Sequence, residues 1–207
     1  MIVGLGSGHA AETFLRLLAD RVALGLLVRG VSTSRRTTEL AAAVGISVIS
    51  LEAAGTIDVM IDGADEVDSQ IDLIKGYGGA LLREKIVAAS SARRVIVVDE
   101  SKLVPRLGSR GRLPVEIVPF GLTLCRRLLT ELGCPPTIRT AANGNCVTDG
   151  GNYILDCAVS EILDPRLLDD QIRSVPGVVT SGLFIGMAEI VLIQAGDSVE
   201  TRRRVAR

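Results

Sequence analysis

The sequence predicts an α/β protein in which a domain with a parallel sheet carries a small inserted α+β lobe. Of its 207 residues, 47% are hydrophobic and only 2% aromatic, so the core is built from aliphatic side chains. Such side chains suit buried parallel strands covered by helices. Short β-branched segments alternate with helical segments at the spacing of right-handed βαβ units. A glycine-rich turn follows the first of these strands, as in many ligand-binding α/β domains.

The first half of the chain supplies the alternating elements. Strands are predicted over residues 1–5, 26–32, 46–50, 57–61 and 94–99. Helices are predicted from the glycine turn to Asp20, over 37–44, and over about 80–91. Because strands separated by helices are parallel, their carboxyl ends meet at one edge of the sheet, where ligands bind.

The amino-acid composition changes near Gly108, where a Gly/Arg-rich stretch begins. The predicted elements beyond it are a helix over 120–132, a hairpin that pairs 146–148 with 153–156, a helix over 165–174 and a last strand over 189–194. We therefore predict a main domain of residues 1–109 and 185–207 and a lobe of residues 110–184. The arginine-containing tail from Glu200 is predicted to be a frayed end.

Composition and charge argue against several classes of function. The net charge is −1 and the sequence contains no Trp, so a basic face with stacking rings for nucleic acid is not expected. The four cysteines lie far apart and His9 is the one histidine, which argues against a zinc site. Free thiols favour a reducing, cytoplasmic location. No stretch reaches the roughly 20 apolar residues of a membrane span.

The turn Gly4-Leu5-Gly6-Ser7-Gly8, followed by His9 and Ala10, joins a predicted strand to a predicted helix. Glycines let the backbone approach an anion, and the helix start offers free N–H groups. From Gly6 the string also fits GxGxxA, a dinucleotide fingerprint, although the acidic residue expected about 20 residues later is missing. Arg35 and Arg36 would suit an NADP phosphate. From this string alone, phosphate binding, dinucleotide binding and a plain turn remain alternative interpretations.

A cluster of carboxylates follows the strand over 57–61, in the string Asp62-Gly63-Ala64-Asp65-Glu66-Val67-Asp68. Carboxylates this close repel one another unless a metal, a lysine or a hydroxylated ligand shares them. A Mg²⁺ site, hydrogen bonds to sugar hydroxyls and a solvated acidic turn are the alternatives.

Two further segments carry charged residues beside glycines or a strand end. The first, Lys75-Gly76-Tyr77-Gly78-Gly79, leads into a helix that contains Glu84, which is either a general base or a solvated helix charge. In the second, Asp99-Glu100-Ser101-Lys102 ends a strand, and its lysine suits a phosphate or a plain surface position.

Together these segments resemble the ribose-5-phosphate isomerase A family, in order and spacing, over nearly the whole chain. The shared motifs are the glycine loop at 4–8, Asp62-Gly63-Ala64-Asp65-Glu66, Lys75-Gly76 with Arg83-Glu84-Lys85, Asp99-Glu100-Ser101-Lys102, Leu113-Pro114-Val115-Glu116, Gly151-Asn152-Tyr153-Ile154-Leu155-Asp156 and Pro176-Gly177-Val178-Val179 with Gly182-Leu183-Phe184. The resemblance implies a Rossmann-like domain with a ferredoxin-like lobe, usually as a homodimer or homotetramer.

The resemblance also implies the interconversion of ribose 5-phosphate and ribulose 5-phosphate, without a metal or other cofactor. Glu84 would be the base, while Asp62, Asp65 and Lys75 would hold hydroxyls and stabilise charge. The residues implied to line the substrate are Ser7, Gly8, His9, Ala10, Gly63, Ala64, Gly76, Tyr77, Gly78 and Lys102.

The chain departs from the family pattern at several positions. His9 and Ala10 stand where relatives have hydroxyl residues that help to bind phosphate, and Tyr77 and Gly79 alter a glycine-alanine run. Relatives also begin with a helix before the first strand. The alternatives kept open are an isomerase of another sugar or sugar phosphate, an NADP-dependent reductase and a non-catalytic sugar-phosphate sensor.

Overall fold

The computed structural model describes residues 1–142 and 144–204. The helices are α1 (His9–Ala23), α2 (Arg35–Ala43), α3 (Leu51–Ala54), α4 (Leu81–Ala89), α5 (Leu122–Glu131) and α6 (Pro165–Arg173), with 3₁₀ turns at Glu100–Lys102 and Pro119–Gly121. The strands are β1 (Ile2–Leu5), β2 (Arg29–Ser32), β3 (Ser47–Val48), β4 (Ile57–Asp62), β5 (Glu66–Val67), β6 (Leu73–Ile74), β7 (Ser91–Asp99), β8 (Arg112–Ile117), β9 (Pro136–Ile138), β10 (Thr140–Ala141), β11 (Gly144–Asn145), β12 (Tyr153–Ala158), β13 (Val178–Ser181), β14 (Leu183–Phe184), β15 (Ile190–Ala195) and β16 (Ser198–Arg203). None of the helices in these residues is both long and apolar enough to cross a bilayer.

The described chain forms two compact units. Unit 1 contains residues 1–64, 83–102 and those from Gly186 onward, and unit 2 contains residues 65–82 and 103–185. The predicted domain limits, 1–109 with 185–207 and 110–184, differ from these units at residues 65–82, 103–109 and 185. Within unit 2, β6 pairs with β14, and Glu66 accepts hydrogen bonds from backbone amides beyond residue 107. The predicted limits of the main domain and the lobe therefore remain a prediction.

Unit 1 is built on a sheet with the strand order β16-β15-β7-β4-β1-β2-β3. Every neighbouring pair is parallel except β15 and β16. This confirms the predicted α/β class with a parallel sheet. Successive residues of β4 enter two different apolar clusters, Met60 one and Ile61 the other, as expected for a central strand whose two faces are both covered.

The register of the central strands places two loops at the same edge of this sheet. β1 pairs with β4 so that Leu5 lies beside Ile61, which brings the turn after β1 next to the end of β4. On its other side β4 pairs with β7, with Asp62 beside Ile96. The loops after β1, β4 and β7 therefore share the carboxyl edge of the sheet, where ligands bind in this class of fold.

Unit 2 contains an antiparallel sheet with the order β13-β8-β12-β9, and a second, three-stranded sheet with the order β14-β6-β5. Its core draws on both sheets and on α5 and α6. Fully buried members include Ile74, Leu113, Leu129, Leu155 and Ile172. The strand over 153–158 and the helices over 122–131 and 165–173 match the predicted elements to within a few residues.

The structure corrects the prediction for the C-terminal tail. Residues 200–203, predicted to fray, lie in β16, which pairs antiparallel with β15 from Ala195↔Ser198 to Ile190↔Arg203. A two-residue turn at Gly196-Asp197 connects the strands, and Gly196 has φ 57°, as such hairpins require at this position. Three of the six residues of β16 are charged, Glu200, Arg202 and Arg203, which is why the sequence alone did not indicate a strand.

Candidate active site

The turn after β1 presents a helix start to solvent. Gly8 has φ 85°, a conformation that favours glycine, and α1 begins at His9 directly after it. Within the described residues no side chain caps this end of α1, and Gly8 and His9 are both exposed. Backbone N–H groups at such a start attract anions. The geometry therefore fits the predicted phosphate-binding turn.

Buried threonine hydroxyls stabilise this turn through hydrogen bonds to its backbone carbonyls. Thr33 Oγ1 donates to the Leu5 carbonyl at 3.0 Å, and Thr37 Oγ1 donates to the Gly6 carbonyl at 3.0 Å. Ser7 Oγ lies 2.6 Å from Thr33 Oγ1. Since the single hydrogen of Thr33 goes to Leu5, the hydroxyl hydrogen of Ser7 goes to Thr33.

Thr33 and Thr37 are functional residues that the sequence reasoning missed. They lie on either side of Arg35 and Arg36, the pair that the sequence suggested for an NADP phosphate. The useful signal was a run of hydroxyls directly after a strand that neighbours a glycine loop. Arg36 itself forms an ion pair with Glu12, with Nε 2.9 Å from Oε1.

Asp62 ends β4 and is completely buried. Its Oδ1 accepts the backbone N–H of Ser7 at 3.1 Å and that of Gly63 at 2.8 Å. Gly6 makes this approach possible, because a Cβ on residue 6 would lie 2.3 Å from Asp62 Oδ1. The carboxylate is thus fixed against the turn, and the solvated-turn alternative for Asp62 is wrong.

Glu84 lies in α4 and is only 5% exposed. Val87 and Ala88, three and four residues further along the helix, are core residues of unit 1, so Glu84 lies on the buried side of α4. The alternative of an ordinary solvated helix charge is therefore wrong for this residue. A carboxyl group in such surroundings has the environment that a general base requires.

Lys102 closes the 3₁₀ turn that follows β7 and is half-buried. Ser101 N–H donates to Asp99 Oδ1 at 2.9 Å. The side-chain hydrogen bond from Ser101, and to a smaller extent the charge of Lys102, lower the pKa of the Asp99 carboxyl. Lys102 thus follows a strand end at the same edge of the sheet as the turn after β1 and as Asp62.

In unit 2, Asp65 and Lys75 flank a tight glycine turn. Asp65 Oδ2 accepts the backbone N–H of Tyr77 at 2.9 Å. Lys75 is 4% exposed, its N–H donates to the Gly182 carbonyl at 2.9 Å, and its Nζ lies 5.6 Å from the centre of the Phe184 ring. A buried ammonium over an aromatic ring is held in place by cation–π attraction.

Gly76, Tyr77 and Gly78 form the turn itself. Gly76 has φ 112° and packs so closely that a Cβ there would lie 3.0 Å from Leu81 Cβ. The Tyr77 hydroxyl donates to the Arg112 carbonyl at 3.2 Å, and the Arg112 guanidinium lies 4.5 Å from the ring centre. Burial, with smaller effects of the Glu66 and Asp65 charges, raises the pKa of Tyr77 to about 12.

Glu66 is a further residue whose role the sequence did not reveal. It is fully buried, and its two oxygens accept the backbone N–H groups of Gly108, at 2.7 Å, and Arg110, at 3.0 Å. Burial raises the pKa of Glu66, and the two amide hydrogen bonds partly offset that rise. Glu66 therefore fixes the 108–110 loop.

In the described part of the chain, no three His, Cys, Asp or Glu side chains converge in a way that could hold a metal ion.

The predicted site residues thus divide between the two units. Unit 1 contains Ser7, Gly8, His9, Ala10, Asp62, Gly63, Ala64, Glu84 and Lys102, and unit 2 contains Asp65, Lys75, Gly76, Tyr77 and Gly78. In unit 1 the structure brings Ser7 together with Asp62, and Ala10 with Gly63, where a Cβ on residue 63 would lie 3.7 Å from Ala10 Cβ. In unit 2 it brings Asp65 together with Tyr77.

Comparison with known proteins gives a consistent result. The family model for ribose 5-phosphate isomerase A (phosphoriboisomerase A) matches residues 29–198. Ribose-5-phosphate isomerase A of Gloeobacter violaceus is 49% identical over 201 residues, which cover 97% of this chain and 87% of that protein. The structure of ribose 5-phosphate isomerase A from Methanocaldococcus jannaschii superimposes with a TM-score of 0.94 at 37% identity, covering 98% of this chain and 91% of the other. A D-ribose-5-phosphate isomerase in complex with phospho-erythronic acid gives a TM-score of 0.95 at 34% identity, covering 99% and 91%.

Proposed function

The chain belongs to the ribose 5-phosphate isomerase A family and interconverts ribose 5-phosphate and ribulose 5-phosphate, and we propose that it does so by proton transfer through an enediolate. An α-hydroxy aldehyde and its ketose differ in the positions of two protons: one moves from C2 to C1, and the other from the C2 oxygen to the C1 oxygen. The reaction therefore needs a base, and groups that stabilise negative charge on two oxygens. The observation that carries the proposal is the match over 170 residues of the chain, with Asp62, Asp65, Lys75 and Glu84 all present.

We propose Glu84 as the base. It takes the proton from C2 of ribose 5-phosphate, exchanges it with solvent while the enediolate is bound, and delivers a proton to C1. The electron pair of the C2–H bond becomes part of the C1–C2 double bond, and the aldehyde oxygen gains the charge. The C2 hydroxyl proton then passes to the C1 oxygen, and as C1 is protonated the double-bond electrons form the new C1–H bond and the C2 carbonyl forms. Burial of Glu84 supports this role, because a desolvated carboxylate is a stronger base than a hydrated one.

Asp62, Asp65 and Lys75 hold the hydroxyls, assist ring opening and stabilise the developing charge. The Lys75 ammonium is the one of these groups that can neutralise an oxyanion directly. Asp62 and Asp65 accept hydrogen bonds from hydroxyls, and each is oriented by backbone amides. Gly63, Ala64, Gly76, Tyr77 and Gly78 line the sugar.

The phosphate end is bound by the turn after β1 and by Lys102. Since the Ser7 hydroxyl donates to Thr33, we assign Ser7 mainly to shaping the turn. Gly8, His9 and Ala10 then offer backbone N–H groups at the start of α1, with the His9 side chain as a further donor. Replacement of Lys102 with Ala is expected to raise KM for ribose 5-phosphate more than it lowers kcat.

The remaining assignments concern architecture and context. The four-stranded sheet of unit 2 and its two helices follow the order β8-α5-β9-β12-α6-β13, which supports their assignment as a ferredoxin-like lobe, and the parallel sheet of unit 1 is assigned as Rossmann-like. The neighbouring side chains of Leu24, Leu26 and Leu27 are apolar and exposed, which supports a homodimer or homotetramer. Four free thiols support a cytoplasmic location. The reaction requires no added cofactor or metal.

The test is proton NMR of ribose 5-phosphate with the purified protein in D₂O, with EDTA present and no cofactor added. We expect ribulose 5-phosphate to form, with deuterium entering at the transferred position. Phospho-erythronic acid, which places a carboxylate where the enediolate oxygens form, is expected to compete with the substrate. Product without deuterium would argue against exchange at an enediolate. No product would indicate that His9 and Ala10 mark a different sugar, and a panel of aldoses and ketoses would then identify it.

A further inference from the structure

Arg139 contacts the backbone of the turn that follows Lys75. Its Nη1 donates to the Gly76 carbonyl at 2.9 Å and to the Tyr77 carbonyl at 3.1 Å. The side chain is only 12% exposed, so these hydrogen bonds compete with little water. A planar guanidinium that bonds two consecutive carbonyls fixes the orientation of both peptide groups.

Asp156, on β12, holds Arg139 in position. Nε of Arg139 donates to Oδ2 at 2.9 Å, and Nη2 donates to Oδ1 at 2.5 Å, which is a bidentate pair. Oδ1 also accepts from Arg112 Nε at 2.9 Å. Burial raises the pKa of the Asp156 carboxyl, but the hydrogen bonds and charges of the two arginines outweigh burial and bring the pKa below its ordinary value.

Arg112 completes a network that we call the brace, consisting of Arg112, Asp156 and Arg139. Its guanidinium stacks on the Tyr77 ring, and its carbonyl accepts the Tyr77 hydroxyl. The turn is therefore held through its carbonyls by Arg139 and through its one large side chain by Arg112. The Tyr77 N–H donates to Asp65.

We propose that Arg139 and Asp156 are positioning residues for the isomerisation, a role that rests on the proposed function. They hold the Gly76 and Tyr77 peptide groups, and through the Tyr77 N–H they fix which oxygen of Asp65 stays available to a hydroxyl. They also fix the backbone directly after Lys75. Because Asp65 and Lys75 act most strongly as charge develops, the brace contributes to kcat more than to KM.

The experiment measures kcat and KM for Arg139→Ala, Arg139→Lys and Asp156→Asn. We expect Arg139→Ala to lower kcat by about 10- to 100-fold, the range expected when catalytic groups are misplaced by about 1 Å, with KM changed by less than about 3-fold. Guanidinium ion at millimolar concentration should restore part of the kcat of Arg139→Ala, whereas it should not help Arg139→Lys. Arg127→Ala is the matched control, since it removes an exposed arginine paired with Glu131 in the same unit, and its kcat should equal that of the wild type.

Hydrogen exchange of the amides of residues 75–79, without substrate, separates this proposal from the proposed function. Arg139→Ala and Asp156→Asn should both speed exchange there, whether or not the protein turns over ribose 5-phosphate. If Arg139→Ala fails to fold, Asp156→Asn and Arg139→Lys still give the kcat, KM and exchange readings. An unchanged kcat in the folded variants overturns the proposal. So does a lowered kcat with unchanged exchange at residues 75–79, or a folded Arg139→Ala variant whose kcat guanidinium does not restore.

Discussion

Oδ1 of Asp62 accepts the backbone N–H of Ser7 at 3.1 Å and so ties the end of β4 to the turn after β1. The same oxygen accepts the N–H of Gly63. One buried carboxylate thereby shapes the turn assigned to phosphate and the segment assigned to the sugar. Its acceptor function and its charge can be separated by substitution.

Asp62→Asn keeps an oxygen acceptor for both amides but removes the charge. We expect this variant to unfold in urea at nearly the wild-type midpoint and to lose at least about 10-fold in kcat, as for a lost electrostatic contact in the transition state. Asp62→Ala should in addition lose about 1–3 kcal/mol of unfolding free energy, because two amides lose their partner. A wild-type kcat in Asp62→Asn would show that the charge plays no part in the reaction.

Gly6→Ala tests the close approach between the turn and Asp62. The new Cβ would lie 2.3 Å from Asp62 Oδ1 and 2.7 Å from its Cα, so the backbone must shift. We expect a loss of about 1–3 kcal/mol in unfolding free energy, as for overpacking, together with a lower kcat/KM. Gly63→Ala is the stability control, since its Cβ would meet no atom closer than 3.7 Å. Equal stability of the two variants would contradict the packing argument.

Glu84→Gln preserves the size of the side chain and removes the base. We expect the fold to survive and kcat to fall at least about 100-fold, which is the contribution of a positioned general base. Deuterium exchange into the substrate should fall by the same factor. Glu131→Gln, an exposed change on α5, serves as the control. Near-normal turnover by Glu84→Gln would remove this residue from the mechanism.

Glu66→Gln tests the anchoring of the 108–110 loop. Glu66 accepts one amide on each oxygen, whereas a glutamine can accept only through its single oxygen and would turn its NH₂ toward the other N–H. We expect a loss of about 1–3 kcal/mol in the unfolding free energy at pH 7. The exposed Glu161→Gln should leave the stability unchanged. Denaturant unfolding of both variants makes the comparison, and equal midpoints would show that the loop needs no such anchor.

Tyr77 gives a prediction for alkaline pH. Its pKa is raised from the ordinary 10.0 to about 12, with burial as the main cause. Absorbance at 295 nm, taken as the difference between wild type and Tyr77→Phe, should therefore show a phenol that titrates at about pH 12. Between about pH 10 and 12 the unfolded chain releases this proton and the folded chain keeps it, so stability should fall as pH rises, and less so in Tyr77→Phe. A midpoint near pH 10 would contradict the buried placement of this ring.

The sequence was sufficient for the parallel sheet, and the comparisons confirm the predicted family. Segments rich in β-branched residues, such as 57–61 and 94–99, are strong signals, because a strand covered on both faces is largely apolar. The motif Asp62-Gly63-Ala64-Asp65-Glu66, taken together with Arg83-Glu84-Lys85, was specific enough to indicate the family. The individual roles of the site residues stay predictions.

What the sequence did not reveal depends on contacts between distant segments. β5, β6 and β14 have two residues each, too few for any periodicity. The support that Thr33 and Thr37 give to the first turn exists only once β2 lies beside β1. Arg139 was not recognised because its partners, the carbonyls of residues 76 and 77, are more than sixty positions away. Backbone carbonyls leave no signature in a sequence.

β16 affects the tendency of this protein to aggregate through the edge of its sheet. A long apolar strand at the margin of a sheet offers unpaired N–H and C=O groups on which a second chain can grow an intermolecular sheet. In the described chain, β15 is shielded from that hazard by β16, which presents Glu200, Arg202 and Arg203 at the outer margin, while the opposite margin is the two-residue β3. One margin is charged and the other is short. The segment predicted to fray thus acts as a guard against aggregation, and shortening the chain at Asp197 would leave an aliphatic strand open to fibrillar growth.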